Sequence, residues 1–437
     1  MFNSFRGGIH PQDQKHYSRH KAIEIMPVPE RLVLPLRQHI GAPAEPIVAV
    51  GDHVKKGQCI AKSVGMVSSP VHAPTSGTVA AIAVNPHPGF GTDKAIVIDA
   101  DGEDAWLDGV LTERDWRTLS KDELLTIIRE AGIVGLGGAA FPTHVKLNPP
   151  PDKKIDTLII NGAECEPYLT ADHRVMLEMP DKMLEGIQIA MKLLGLQEAM
   201  IGIEKNKEDA VTFLEEKCKG TAIKVCPLET KYPQGAEKML IRALTGREVP
   251  SGGLPADVGI IVQNIGTVAA ISDAVSHGIP LIERVVTVSG GLVKEPKNIL
   301  VRLGASFQQA VDWCGGVTGK PAKIVMGGPM MGMAQVGLNV PIIKGTSGIL
   351  LLAESDIGGG KERGCIRCGR CVEVCPMGLM PNRFAIWGQR GEVENAVKEG
   401  HLLDCAECGS CVYVCPAKRN IVHYIKLLKA KNAAKKK

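Results

Sequence analysis

The sequence predicts a multidomain α/β protein, and three observations carry that expectation. Between residues 120 and 283, short apolar runs alternate with amphipathic stretches, the pattern of a sheet layered with helices. Residues 31–100 hold short strand-like runs broken by glycine turns, with no helical period. Residues 365–415 carry eight of the 13 cysteines, in two copies of one spacing.

Bulk composition narrows the function classes. A chain of 437 residues supports two to four domains with ample core. The net charge of +4 and an aromatic content of 4% argue against a nucleic-acid partner, which needs a basic face and stacking rings. "MFNSFRGGIHPQDQK" lacks the apolar core of a signal peptide. No segment approaches the ~18 consecutive apolar residues of a membrane helix. A soluble or peripheral protein is expected. Clustered cysteines in a large chain point to metal in a reducing compartment and not to a disulfide framework.

Residues 1–30 are polar, punctuated by proline and glycine, and are expected to wrap over a domain surface. "VAVGDHVKKGQCIAK" and "SSPVHAPTSGTVAAIAV" then read as short strands with tight turns at Gly51-Asp52 and Gly57-Gln58. This stretch resembles the lipoyl/biotinyl barrel-sandwich family. No lysine occurs between Lys62 and Lys94, so a swinging cofactor arm is not expected. "SKDELLTIIREAG" opens a helix with a capping box, Ser120 and Glu123, and Gly132 stops it. Strands are expected at 157–161, 199–204, 222–226 and 259–263, with helices near 174–194, 206–218 and 234–245. Ligands on such sheets sit at the carboxyl ends of strands. Residues 284–320 read as two strands and a helix, resembling a soluble-ligand-binding β-grasp (SLBB) domain. "MGGPMMGMAQVG" (326–337) reads as turns with adaptable packing, and "DIGGGKERG" (356–364) as a hinge. The tail "KLLKAKNAAKKK" has six lysines in 12 residues and reads as a solvated basic tail.

The cysteines carry the sharpest signal. "CIRCGRCVEVCP" and "CAECGSCVYVCP" each read C-x2-C-x2-C-x3-C-P, offset by 40 residues at every cysteine. Zinc sites usually use C-x2-C pairs with longer gaps between them. The repeated spacing is similar to that of bacterial two-cluster ferredoxins, in which the fourth cysteine ligates the other cluster. That pattern assigns Cys365, Cys368, Cys371 and Cys415 to one 4Fe–4S cluster. It assigns Cys405, Cys408, Cys411 and Cys375 to the other. Cys59, Cys165, Cys218, Cys226 and Cys314 show no ligand spacing and read as small buried hydrophobes.

"GLGGAAFPTHVK" (135–146) raises a separate question. Gly135-x-Gly137-x-x-Ala140 matches a dinucleotide fingerprint, but a capped helix precedes it where a strand should stand. Lys146 is followed by Leu147, so a Walker A loop fails as well. Close helix packing at the glycines is the bland alternative. Three further stretches end strands: "NGAECEPYLTADHR" (161–174), "KYPQGAEKML" (231–240) and "VQNIGTVAAI" (262–271). Together the four resemble the flavin- and NADH-binding subunit of respiratory complex I. With "FRGGIHP", the barrel-sandwich stretch and the cysteine repeat, in that order, the whole chain resembles the RnfC subunits of Rnf ion-translocating electron-transport complexes.

The resemblance implies the remaining expectations. Gly135, Gly137 and Gly138 would let backbone approach FMN, and Lys146 would meet flavin or phosphate oxygens. Asn161 and Glu164 would contact the flavin, and Glu166 the nicotinamide side. Tyr232, Gly235 and Glu237 would complete the pocket, Asn264 and Thr267 would lie near the FMN phosphate, and Phe141 would pack against the nucleotide. The sequence departs from the complex I motifs at Leu136, Leu147, Ala163 and Ala236. NADH would be the substrate, with no protein acid or base needed for hydride transfer. A hydride carries two electrons and a cluster accepts one, so the flavin belongs between them. The expected partners are the integral-membrane and iron–sulfur subunits of the complex, which would supply membrane contact and ion pumping. The expected place is peripheral, on the cytoplasmic side of the cell inner membrane. The expected division is a barrel-sandwich domain at 1–115, a Rossmann-like FMN/NADH domain at 116–283, and an SLBB domain at 284–345. A two-cluster ferredoxin-like α domain at 346–425 and a basic tail at 426–437 complete it. An RnfC-like cobalamin reductase and a non-catalytic electron relay share these features and are the rival readings.

Overall fold

The computed structural model describes residues 4–358 and 360–435. Gly359 of the expected hinge, residues 1–3, and Lys436 and Lys437 of the tail lie outside the described residues.

A four-stranded parallel sheet forms the centre. Its strands lie in the order Ile223–Leu228, Ala199–Glu204, Thr157–Gly162, Ile260–Asn264. These are the four strands expected, with ends that differ by no more than one or two residues. They are continuous Ile/Val/Leu runs because helices cover both faces. The order reverses beside Thr157–Gly162, whose two neighbours are the second and the fourth strands in sequence. That reversal opens a crevice at the carboxyl ends of Thr157–Gly162 and Ile260–Asn264. Asn161 and Asn264 pair in register there.

Helices Pro180–Leu194 and Ile265–His277 pack against one another on one face of the sheet. A Cβ added at Gly186 would stand 1.7 Å from the carbonyl oxygen of Val268. Helix Lys121–Glu130 has the expected capping box: Ser120 Oγ accepts from the Glu123 amide, and Glu123 accepts from the Ser120 amide at 2.8 Å.

Two small antiparallel sheets build the barrel-sandwich unit. One holds Arg31–Pro35, Gly91–Ala100, Gly77–His87 and His53–Val54, and the other Glu45–Pro46, Cys59–Lys62 and Val71–His72. The β-grasp unit is a six-stranded sheet that draws on more of the chain than 284–345. Ile23–Ile25 pairs parallel to Lys297–Arg302, and Gly348–Leu352 pairs parallel to Glu283–Ser289. The amino-terminal segment therefore does more than wrap a surface. Gly348–Leu352 is buried at every position, which suits an inner strand. Within 326–337, Met333–Gln335 is an edge strand and not only turns.

The cysteine segment is helical. Its two halves repeat in backbone as well as in spacing. Arg367, Gly369 and Gly378 have positive φ, and so do Glu407, Gly409 and Lys418, each 40 residues on. Helix Ile421–Ala434 begins before the basic tail and carries its first residues; it buries Ile421, Ile425 and Leu428 and packs on Pro381–Arg390. The apolar stripe at 421, 425 and 428 anchors the start of the tail through Leu428, and most of the described residues beyond it are exposed. Among the described residues no helix is long and apolar enough to cross a membrane.

The helix pair at Gly186 sets where the amino end of Ile265–His277 falls. Gly186→Ala should cost about 3 kcal/mol, because Val268 backbone cannot retreat without moving its helix. Denaturant unfolding of the variant against the parent protein checks this.

Candidate functional site

The glycine loop folds back on itself and lies over a helix terminus. The Gly135 amide donates to the Phe141 carbonyl at 2.9 Å, and the Ala140 amide donates to the Gly135 carbonyl at 3.1 Å. The Leu136 amide donates to Thr267 Oγ1 at 2.8 Å. A Cβ at Gly137 would meet Asn264 at 3.4 Å. Asn264 caps helix Ile265–His277, accepting from the amides of Gly266 and Thr267. Two buried cations hold the loop from behind: Arg284 donates to the Leu136 carbonyl, and Lys344 donates to the Gly132 carbonyl and to Pro70 of the barrel-sandwich unit. Burial pushes Lys344 down to about 7 and Arg284 to about 10.

On its outer side the loop is open. Gly137 and Gly138 are exposed, Gly138 has φ +109°, and a Cβ there would meet nothing within 4 Å. An open glycine edge beside a helix amino terminus suits an anionic, planar group such as a flavin nucleotide. Gln234, on the neighbouring turn, is fully buried with neither amide atom partnered. An orphaned buried amide costs free energy unless something fills its hydrogen bonds. Sequence reasoning missed Gln234, and a glutamine in a Pro/Gly turn gives no signal.

The "NGAECEP" loop crosses the strand ends. Asn161 Nδ2 donates to the Gly235 carbonyl at 2.8 Å, joining this loop to the Tyr232–Gly235 turn. Lys146 Nζ and Glu237 form an ion pair at 2.6 Å, so these two predicted residues meet each other. Phe141 is half-buried, five residues before Lys146.

Three expected residues stand differently. Glu164, at φ +43°, turns its carboxylate onto the amides of Asp172 and His173, and so shapes its own loop by capping helix Ala171–Glu178. Glu166 accepts from the Met330 and Met331 amides at 3.0 and 2.9 Å, and lies 3.1 Å from the Tyr232 hydroxyl. Desolvation raises its pKa. It pins the methionine-rich stretch instead of facing an open nicotinamide space. Tyr232 is buried, and its hydroxyl donates to the Cys408 carbonyl at 2.8 Å.

Three polar residues were not legible in the sequence. Asp172 accepts from Asn264 Nδ2 at 2.6 Å, and burial and then Glu164 raise its pKa. Lys15 Nζ, fully enclosed, donates to the carbonyls of Glu164, Glu166 and Leu169. Lys207 Nζ donates to the Ala163 carbonyl at 2.6 Å. Both lysines sit in polar stretches that read as solvated surface.

The cysteine loops dock against this site. The backbones of Ile9 and Tyr232 exchange two hydrogen bonds of 2.8 Å, and the Gly8 amide donates to the Val374 carbonyl at 2.9 Å. Gly7 has φ +73°, and a Cβ there would stand 2.9 Å from the Cys375 carbonyl. "FRGGIH" is therefore a wedge between the sheet unit and the cysteine unit. Cys375, Cys405, Cys408 and Cys411 line one cavity walled by Leu379, Phe384, Val422 and Ile425. Cys371 lies within electrostatic reach of Cys415 and Cys365. Among the described residues no group of three or more His, Cys, Asp or Glu side chains is placed to hold a single metal ion. Four thiols around an apolar cavity fit a larger iron–sulfur group, and the fourth thiol comes from the other motif. Cys365 and Cys368 are exposed. Cys165 has no ligand spacing, but its sulfur accepts from the Gly235 amide at 3.2 Å.

If the fourth cysteines cross over, Cys375→Ser should perturb the cluster of Cys405, Cys408 and Cys411 and spare the one of Cys365, Cys368 and Cys371. Iron analysis and EPR of single and paired cysteine variants check this; an additive loss between Cys375→Ser and Cys371→Ser, and a non-additive one with Cys411→Ser, is the expected outcome.

Comparison with known proteins agrees with this architecture. Four family models match: the RnfC barrel sandwich hybrid domain at 3–103, the Nuo51 FMN-binding domain at 128–273, the SLBB domain at 285–334 and a 4Fe-4S dicluster domain at 360–416. The C subunit of the proton-translocating ferredoxin:NAD(+) oxidoreductase complex of Clostridium ljungdahlii is 61% identical over 434 residues, covering 99% of this chain and 95% of that one. The corresponding subunit of the Na(+)-translocating ferredoxin:NAD(+) oxidoreductase complex of Acetobacterium woodii is 45% identical over 435 residues, covering 99% and 98%. That of the ion-translocating oxidoreductase complex of Rhodobacter capsulatus is 44% identical, covering 91% and 77%. A crystal structure of an NAD+-reducing [NiFe]-hydrogenase in the air-oxidized state shares the fold, with TM-score 0.52 and 18% identity, over 71% of this chain and 63% of that one. The chain belongs to the RnfC family, whose members serve ion-translocating electron-transport complexes, and is an iron–sulfur and flavin oxidoreductase subunit of that kind.

Proposed function

We propose that this chain passes electrons between NAD(H) and the other subunits of a membrane-bound Rnf complex, by way of FMN in the crevice and two 4Fe–4S clusters. One observation carries the reading. The turn Tyr232–Gly235 touches Asn161 at one end and Cys408 at the other, with 2.8 Å hydrogen bonds at both. Three residue steps span at most about 10 Å and one tyrosine side chain completes the bridge, so pocket and cysteine loop are near neighbours.

A bound flavin exchanges two electrons with a nicotinamide and single electrons with a cluster. The chain's own residues do the rest. Gly135, Gly137 and Gly138 keep side chains off the flavin-facing edge. Asn264 and Thr267 hold the glycine loop over the amino terminus of Ile265–His277, whose dipole favours a phosphate. Lys146 and Glu237 stand at the pocket mouth, with Phe141 to pack against the nucleotide. Asn161 and Gly235 fix the floor. Glu164 and Glu166 keep the loop's shape, and Lys15 and Lys207 beneath it add positive charge. The eight motif cysteines hold the clusters in the crossed sets, Cys375 with Cys405, Cys408 and Cys411, and Cys415 with Cys365, Cys368 and Cys371.

The working segments follow the expected division, except that Ile23–Ile25 and Gly348–Leu352 serve the β-grasp sheet. Partner subunits meet the chain at 361–370, ten consecutive exposed residues that include Cys365, Cys368, Lys361, Arg363, Arg367 and Arg370. The chain sits peripherally on the cytoplasmic face of the inner membrane, and other subunits move the ion. The relatives' names, which join ferredoxin and NAD(+) to ion translocation, support the association with a membrane complex.

Anaerobic reconstitution with iron, sulfide and FMN, followed by NADH titration, tests the reading. The flavin band should bleach first and the broad cluster absorption next. Clusters with no retained FMN and no response to NADH would make the chain a relay fed by another subunit. Gly138→Val, which puts a branched side chain into the open edge at positive φ, should abolish FMN retention and leave the iron content unchanged.

A further inference from the structure

The two cysteine motifs share their cysteine spacing and their backbone turns, and they differ in what reaches their ligands from elsewhere in the chain. Two side chains from elsewhere in the chain donate to backbone carbonyls of the second motif's ligands. Tyr232 donates its hydroxyl proton to the Cys408 carbonyl at 2.8 Å, across 176 residues of chain. Lys429 Nζ donates to the Cys405 carbonyl at 2.7 Å and pairs with Glu407 at the same distance. The repeat supplies no counterpart to Lys429: the residue 40 positions earlier, Gln389, bonds the Tyr424 hydroxyl instead. Nor does the first motif meet a buried phenol, since Cys365 and Cys368 face solvent.

Tyr232 is held in this role from several sides. Its backbone pairs with Ile9, its ring packs with Ile9 and Cys408, and Glu166 stands 3.1 Å from its hydroxyl. Both Glu166 oxygens already accept backbone amides at Met330 and Met331. A phenol carries one proton. The one proton is shared between two acceptors, the Cys408 carbonyl at 2.8 Å and Glu166 at 3.1 Å, and the shorter contact is the one to the peptide of a ligating cysteine.

We propose that Tyr232 and Lys429 are positioning residues that raise the reduction potential of the cluster held by Cys375, Cys405, Cys408 and Cys411. Reducing a 4Fe–4S cluster adds one electron and so one negative charge. A donor on a ligand's peptide draws electron density away from the cluster and favours the reduced form. In a dry apolar cavity that effect is weakly screened. The two donors thereby shift the potential of this cluster, beside the flavin crevice, and leave that of the other cluster where its own surroundings set it. The inference rests on the crossed ligand sets proposed above.

The test is a redox titration of the reconstituted full-length chain, followed by EPR. Cys375→Ser first identifies which signal belongs to the buried cluster; if it leaves both signals intact, the ligand sets fail and not the tuning. Tyr232→Phe keeps the ring and removes only the hydroxyl. The midpoint of the buried cluster should fall, and that of the cluster of Cys365, Cys368, Cys371 and Cys415 should stay where it is. Lys429→Met should lower the same midpoint, and it carries the test alone if Tyr232→Phe does not fold. An unchanged midpoint in a variant that retains both clusters, or an equal fall in both clusters, overturns the proposal.

Discussion

The structure depends on one joint. The backbone of Ile9 is hydrogen-bonded to that of Tyr232, and the next residue back, Gly8, is hydrogen-bonded to Val374 in the first cysteine motif. A strip of main chain thus ties the parallel sheet to the cysteine loops. Electron exchange falls steeply with separation, so a flavin crevice and a cluster cavity on one chain are useful only if held together. Backbone pairing suits that task because it has no side-chain rotamers to relax. It also needs glycine: Gly7 passes so close to the Cys375 carbonyl that a Cβ would collide. The tight "FRGGIH" segment is a spacer whose thickness is that of bare main chain.

The crevice itself is a consequence of topology. In a parallel sheet with helices on both faces, neighbouring connections diverge where the strand order reverses, and a gap opens at the strand ends. Here the gap falls between Asn161 and Asn264, which are paired in register on adjacent strands. Most polar side chains around it are spent on the architecture. Asn264 caps a helix and holds Asp172, Glu164 caps another helix, and Thr267 anchors the glycine loop. What remains facing outward is backbone and glycine. A site built this way recognises a ligand by shape and by oriented amides more than by charged side chains.

Buried cations complete the scaffold. Lys15 and Lys207 gather the carbonyls of the 163–169 loop, and Lys344 and Arg284 gather those behind the glycine loop. Carbonyls turned inward leave the opposite edge of each loop free of acceptors. The long ammonium stems also knit distant segments: Lys344 alone joins the barrel-sandwich unit at Pro70 to Gly132, just before the glycine loop. These contacts cost desolvation of the charge, which the converging carbonyl dipoles offset only in part, so burial lowers the pKa of Lys15, Lys344 and Arg284.

By itself the sequence determined whatever is set by local spacing. The four sheet strands were legible because each is a short apolar run between turn residues. The capping box at Ser120 was legible because its two partners are three residues apart. The cysteine repeat was legible down to its chemistry, since ligand type and loop length are local properties. Tertiary structure alone decided where long side chains end. Glu166, Tyr232 and Lys15 reach partners more than 60 residues away, and nothing near them in the chain marks those partners. The strand-sized run Gly348–Leu352 was visible but not the sheet it joins, and strand Ile23–Ile25 was not visible at all, because each is completed by a sheet whose other members lie elsewhere in the chain. Spacing fixes which groups a loop can offer, and packing fixes which of them remain free to meet a ligand.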